Sequence, residues 1–142
     1  MKAHRIAISI IVLFLTVGIA HAEGITLFDY QGEATAYIDT DHGMNIYVWD
    51  GKPVAYIEGS SIWGFNGTHL GWFKEGIVWN HDGYAVGFSE GSIDIVTKTE
   101  PGKGIRQIPP MKSIKEIEPV RPMHQEKRSR VPLILFFSSE NE

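Results

Sequence analysis

Between residues 23 and 90, apolar and polar residues alternate in short runs broken by glycine. No stretch in that span carries the 3.6-residue apolar period of an amphipathic helix, so the pattern predicts strands. Four glycines, Gly32, Gly51, Gly67 and Gly83, sit at the middle of four similar segments. These are LFDYQGEATAYI (27–38), IYVWDGKPVAYI (46–57), IWGFNGTHLGWF (62–73) and VWNHDGYAVGFS (78–89). Aligned on the glycines, the columns agree. Four residues before stand Phe28, Tyr47, Trp63 and Trp79, and two before stand Tyr30, Trp49, Phe65 and His81. Five after stand Tyr37, Tyr56, Trp72 and Phe88. Eleven of the sixteen aromatic residues fall in these three columns, which establishes a fourfold internal repeat. Asp-Gly, Asn-Gly or Gln-Gly between alternating runs marks a tight hairpin, because such turns need positive φ. A second turn follows each unit, at Asp41-His42-Gly43, Glu58-Gly59, Glu75-Gly76 and Glu90-Gly91. The expected fold is all-β: four repeated hairpins, about eight short strands, around a pseudo-fourfold axis, with an extended C-terminal arm. Closing the hairpins into a ring would bury a face of each and remove the sheet edges.

Period-two geometry assigns faces. It places the columns at −4, −2, +3 and +5 on the core side. The expected aromatic core is therefore Phe28, Tyr37, Tyr47, Trp49, Tyr56, Trp63, Phe65, Trp72, Trp79 and Phe88. The column at +4 (Ala36, Ala55, Gly71, Gly87) would face the other way, where its small size leaves room for a neighbour.

The pattern changes after residue 98. Apolar residues recur every third position at Ile108, Met111, Ile114, Ile117, Val120 and Met123, with Pro109, Pro110, Pro119 and Pro122 among them. Three residues per turn with proline is the signature of polyproline II. The expectation is an arm whose apolar edge lies on the domain. At ~25 cal/mol per Å² its burial should outweigh exposed ion pairs worth ~0–1 kcal/mol each, leaving charge only to orient it. Val131 to Phe137 (VPLILFF) is apolar and strand-like, and should dock on the domain through Leu133, Leu135 and Phe136. Truncation after Lys98 would then leave a folded but less stable domain.

At the other end, Lys2 and Arg5 precede an uncharged apolar run from Ile6 to Ala20, followed by Ala20-His21-Ala22. These are the three parts of a secretory signal peptide, with cleavage expected after Ala22. The organisation that follows is a signal peptide over 1–22, a β domain over 23–98, a basic arm over 99–130 and an apolar segment within 131–142. The product is expected to be exported, periplasmic or secreted, with no transmembrane anchor after cleavage.

Charge and composition narrow the function. Residues 23–98 hold 11 acids and 3 bases, whereas residues 99–130 hold 8 bases and 4 acids, so an acidic domain precedes a basic arm. The whole chain is −4, which disfavours a general nucleic-acid binder, and Lys127-Arg128-Ser129-Arg130 is only a small basic cluster. There is no cysteine, which removes disulfides, thiol nucleophiles and zinc–thiolate sites. No nucleophile elbow, H-E-x-x-H, Walker loop or dinucleotide fingerprint is present. The weak candidates for chemistry are Asp39, Asp41, His81 and Asp82. Asp39-Thr40-Asp41-His42-Gly43 has the alternate hard oxygens of half a calcium loop, but Ca²⁺ needs six to eight oxygens. His81 before Asp82-Gly83 could shuttle a proton or ligate a metal with Asp82. It stands in an otherwise aromatic column, where a flat ring replacing Tyr or Phe is the simpler reading. No cofactor is expected.

IYVWDGKPVAYI (46–57), IWGFNGTHLGWF (62–73) and HDGYAVGF (81–88) resemble the bacterial 4-fold β flower domain, a family named for its arrangement of β hairpins. The resemblance runs over about 27–98, and VPLILFF (131–137) is also similar. The first unit, with Gln31-Gly32 and Thr35, departs from the pattern. The resemblance implies the fold and no particular activity. The expected function is a non-catalytic exported binding or assembly module with a protein partner, or self through the arm. The alternatives are a hydrolase or lyase acting on envelope polymers with acids at loop tips, and a glycan-binding module using exposed aromatics.

Overall fold

The computed structural model describes residues 24–138. Eight strands follow in order: β1 (Ile25–Phe28), β2 (Ala34–Asp39), β3 (Asn45–Val48), β4 (Pro53–Glu58), β5 (Ser61–Trp63), β6 (His69–Lys74), β7 (Ile77–Trp79) and β8 (Ala85–Phe88). Each pairs antiparallel with the next, and β1 pairs with β8 through Phe28 and Phe88, closing a barrel. The fold is the all-β, fourfold hairpin architecture that the repeat implies. The four hairpin turns lie at one end of the barrel, and Gly32, Gly51, Gly67 and Gly83 all have positive φ there.

Each hairpin carries a β-bulge at the same place. Leu27, Ile46, Ile62 and Val78 pair with the small residues Ala36, Ala55, Gly71 and Gly87, and the register then slips by one. The extra residues are Thr35, Val54, Leu70 and Val86, the column at +3. A bulge breaks strict alternation: the +3 column lies in the core as expected, but the +4 column shares that face, and the aromatic columns, though mostly buried, do not. Val54, Leu70 and Val86 join Leu27, Ala36, Ile38, Ile46, Ala55, Ile57, Ile62 and Val78 in one aliphatic cluster, the principal core. The aromatic columns occupy the opposite face of the sheet, in separate clusters such as Tyr56, Trp63 and Phe65. The rings do not pack around the axis. They meet in pairs where one hairpin joins the next, with Tyr37 opposite Tyr47, Tyr56 opposite Trp63, and Trp72 opposite Trp79. The −2 rings complete each junction: Trp49 against Tyr37, Phe65 against Tyr56, His81 against Trp72, and Tyr30 against Phe88.

The C-terminal segment is a short helix, α1 (Leu133–Ser138), and not a strand. A closed barrel has no sheet edge to accept a ninth strand. The helix buries Leu133, Phe136 and Phe137, at i, i+3 and i+4 spacing, in the aliphatic core cluster. Leu135, expected to dock, lies on the other side of the helix and is half exposed. The small +4 column makes the room: a Cβ on Gly87 would stand 2.7 Å from Leu133 Cδ2, and one on Gly71 would stand 3.0 Å from Phe136 Cζ.

Candidate functional site: the arm and the rings beneath it

From Val96 to Gln125 the chain runs extended, without strand or helix, from one hairpin turn to the next. Its anchors recur every nine residues. The backbone N–H of Lys98 donates to the Gly32 carbonyl at 2.8 Å. Those of Gln107, Glu116 and Gln125 donate to Gly51, Gly67 and Gly83, each at 2.9 Å. A second series, Gly104 to Trp49 and Ser113 to Phe65, keeps the same spacing. Nine residues are three turns of a three-residue period, about 28 Å at ~3.1 Å per residue. One turn of the domain's fourfold repeat thus matches three turns of the arm. The close approach also uses the turn glycines. A Cβ on Gly67 would run into the Ile114 carbonyl oxygen, and one on Gly51 into that of Ile105.

A three-residue period gives the arm three faces. One face holds the anchoring amides. The second carries cations onto the junction rings. Lys103 Nζ lies 4.3 Å from the Tyr37 ring centre, and the Arg106 guanidinium lies 4.9 Å from that of Tyr47. Lys112 covers Tyr56 at 4.1 Å, and Lys115 covers Trp63 at 5.3 Å. In the next junction the nine-residue equivalent of Lys115 is His124, stacked on Trp79 with centroids 3.9 Å apart. Carboxylates of the barrel add to the hold: Arg106 pairs with Asp39 at 2.7 Å, Lys98 with Glu33 at 2.9 Å, and Lys115 with Glu58.

The third face is the apolar edge, and it points away from the domain. Ile105, Ile108, Met111, Ile114, Ile117, Val120 and Met123 are 88–96% exposed. This corrects the expected docking of Ile108, Met111, Ile114, Ile117, Val120 and Met123 onto the barrel. The reason is the surface underneath. The aliphatic core is already closed by α1, and what remains outside is a ring of aromatic faces and carboxylates. Such a surface attracts cations, so the basic face turns in and the aliphatic face is left in solvent.

One junction differs from the others. At the +2 position, where the other hairpins have Ala34, Pro53 and Ala85, the third has His69, and its side chain is 1% exposed. His69 Nδ1 lies 2.9 Å from His81 Nε2, and His69 Nε2 lies 3.1 Å from Ser61 Oγ. Ser61 Oγ donates to Glu118 of the arm, which also accepts from Trp72 Nε1 at 3.4 Å. Glu116 accepts the His69 backbone N–H at 2.7 Å. Because the serine hydroxyl donates to Glu118, it accepts from His69 Nε2–H, and His69 Nδ1 accepts from His81. A serine whose proton goes to a carboxylate is not activated by histidine, and this one is buried. The chain of bonds is a tether that pins the arm to β5 and β6. Burial, then the neighbouring His81, holds the His69 pKa below the usual histidine range, and the Ser61 hydrogen bond foremost holds Glu118 below the carboxylate range. The departure from symmetry at +2 is the sequence signal that marks His69; nothing in the pattern marks Ser61 or Glu118.

The other candidates are dispersed. Asp39 is buried, its Oδ1 accepting the N–H groups of Asp41 and His42 and its Oδ2 facing Arg106, so it caps a turn and anchors the arm. Asp41 lies beside it at the β2–β3 turn, whereas His81 and Asp82 lie at the β7–β8 turn, at the opposite end of the barrel. Among the described residues no group of three or more His, Asp or Glu is placed to hold a metal ion. Trp63, Trp72 and Trp79 are buried beneath the arm, and Trp49 is half-buried. A cleft of about 400 Å³ opens between the two ends of the arm, bordered by Tyr30, Ile77, Trp79, Ile93, His124 and Arg128. No helix among the described residues is long and apolar enough to cross a membrane.

Four bulged hairpins closed into a barrel, plugged by a terminal helix and bound round by an arm in nine-residue register, define a class of small repeat barrel. The model of the 4-fold beta flower protein family matches residues 25–137, arm and helix included, and the chain belongs to that family. Searches of curated proteins and of solved structures returned no match.

Proposed function

We propose that the protein is an exported, non-catalytic assembly module whose barrel serves as a frame that displays the apolar edge of the arm to a protein partner. The observation that carries this reading is the run of seven outward aliphatic side chains from Ile105 to Met123. Contiguous exposed apolar surface of this extent marks an interaction site. It is held rigidly, because every ninth residue is bonded to a turn and the cations are engaged with rings beneath. A presented edge that is already ordered loses little conformational entropy on binding. The hydrolase or lyase reading is less favoured because Asp39 and Asp41 lie at the opposite end of the barrel from His81 and Asp82, and the glycan reading because Trp63, Trp72 and Trp79 are buried. The export part of the proposal rests on the N-terminal segment, which lies outside the described residues; N-terminal sequencing of the product should read from Glu23.

The test is photo-crosslinking in cells producing the full chain. Benzoylphenylalanine in place of Ile117 should give a discrete protein adduct, while the same group in place of Thr40, at the other end of the barrel, should give none. No discrete adduct from Ile117 would overturn the proposal.

A further inference from the structure

We propose that the occupant of the apolar edge is a second copy of this chain, packed edge against edge about a two-fold axis through Ile114; the proposal rests on the reading just given. The order of the edge supports it. About Ile114, Met111 mirrors Ile117, Ile108 mirrors Val120, and Ile105 mirrors Met123, all strongly exposed. An antiparallel pair centred there sets each apolar side chain against another, as an isologous contact requires. The repeat distances also match. A partner that fits several turns of this edge must carry apolar groups at the same three-residue rise, and an identical edge does so by construction.

Charge permits the approach. Lys112 and Lys115 flank Ile114 in sequence, and both are turned inward, onto Tyr56, Trp63 and Glu58. The centre of the edge therefore presents no like charges to its mate. Area also suffices. The arm curves round the barrel, so the central residues 108–120 are the ones within reach of a mate. Five such side chains at ~130 Å² apiece offer about 650 Å² per copy, near the ~800 Å² each partner gives to a standard interface. A lipid surface is the less favoured occupant, because the barrel carrying the edge is acidic over residues 23–98 and anionic headgroups would repel it.

The experiment is sedimentation equilibrium on the processed full chain at low and high salt, with two variants. The wild type should give a dimer whose association holds or strengthens as salt rises, because screening weakens repulsion between acidic copies and leaves apolar contact intact. Ile114→Glu should raise the dissociation constant at least tenfold, and should leave the melting temperature unchanged at concentrations below the wild-type dissociation constant, where both proteins are single copies and the side chain lies in solvent. The chain has no cysteine, so Ile114→Cys under mild oxidation should give a disulfide-linked dimer, and Thr40→Cys should not. A monomeric wild type that still gives an Ile117 adduct with a different protein would overturn the second copy and leave the assembly reading standing. A monomer with no adduct would overturn both. A monomer that instead binds phosphatidylcholine vesicles through the edge would also overturn the second copy.

Discussion

Removing one ring from α1 tests whether the terminal helix is part of the core. Phe137 is 1% exposed and sits in the aliphatic cluster with Leu133 and Phe136. A buried Phe→Ala substitution costs ~3–5 kcal/mol, combining lost transfer energy with the cavity left behind. The described chain of 115 residues should have a total stability of roughly 6–17 kcal/mol, at ~0.05–0.15 kcal/mol per residue. Phe137→Ala therefore removes a large fraction of it and should lower the melting temperature by roughly 10–20 °C. Leu135→Ala is the matched control, because Leu135 is 56% exposed and its truncation should cost under ~1 kcal/mol. Thermal melts followed by far-UV circular dichroism, with urea titrations for the free energies, give both numbers. Equal melting of the two variants would refute the placement of the helix. The same reasoning replaces the expectation for truncation after Lys98: a chain cut there loses three buried core side chains together, and the barrel should fail to fold.

Gly87→Ala should destabilise, because its Cβ would stand 2.7 Å from Leu133 Cδ2, and Leu133→Ala in the same chain should recover part of that loss; purely additive free energies would argue against the contact. Arg106→Met leaves the buried Asp39 carboxylate without its guanidinium. The expected cost is about 2–3 kcal/mol, below the usual figure for a broken buried pair because two backbone amides still bond Asp39; a urea midpoint equal to wild type would count against the anchor. Gly67→Val combines strain at φ +91° with a clash against the arm, so it should cost ~1–3 kcal/mol from the turn alone and speed proteolysis between residues 108 and 120. Stability should fall with acid in two windows. Burial chiefly holds His69 and His124 below the ordinary histidine value of 6.5. The unfolded chain therefore takes up protons the folded one refuses, and this contribution, full above that pH, is lost as pH falls. The groups facing His69 are His81, Glu116 and Glu118. Glu118, held below its ordinary 4.5, adds a second loss further into acid. Urea midpoints that stay level from neutral pH to about pH 5 would contradict this sign.

The aligned columns determined the hairpins, their number and their closure, because turn chemistry and two-residue alternation act over a few residues and leave their mark locally. The three-residue period after Ile108 likewise determined an extended arm with one apolar edge. What faces what was decided only in three dimensions. One bulged residue per hairpin, such as Val54 or Leu70, breaks the alternation, so the +3 and +4 columns both face the aliphatic core while the aromatic columns are mostly buried on the opposite face of the sheet, and a bulge has no reliable local signature. The direction of the arm's apolar edge depended on which surface it met. With α1 filling the aliphatic interior, the outer surface offered rings and carboxylates, and Lys112, Lys115 and Arg106 took the inward face. The tether from His81 through His69 and Ser61 to Glu118 joins residues up to 57 apart in sequence. Such a link exists only because the arm returns in register, nine residues to each hairpin, over a barrel that had already closed.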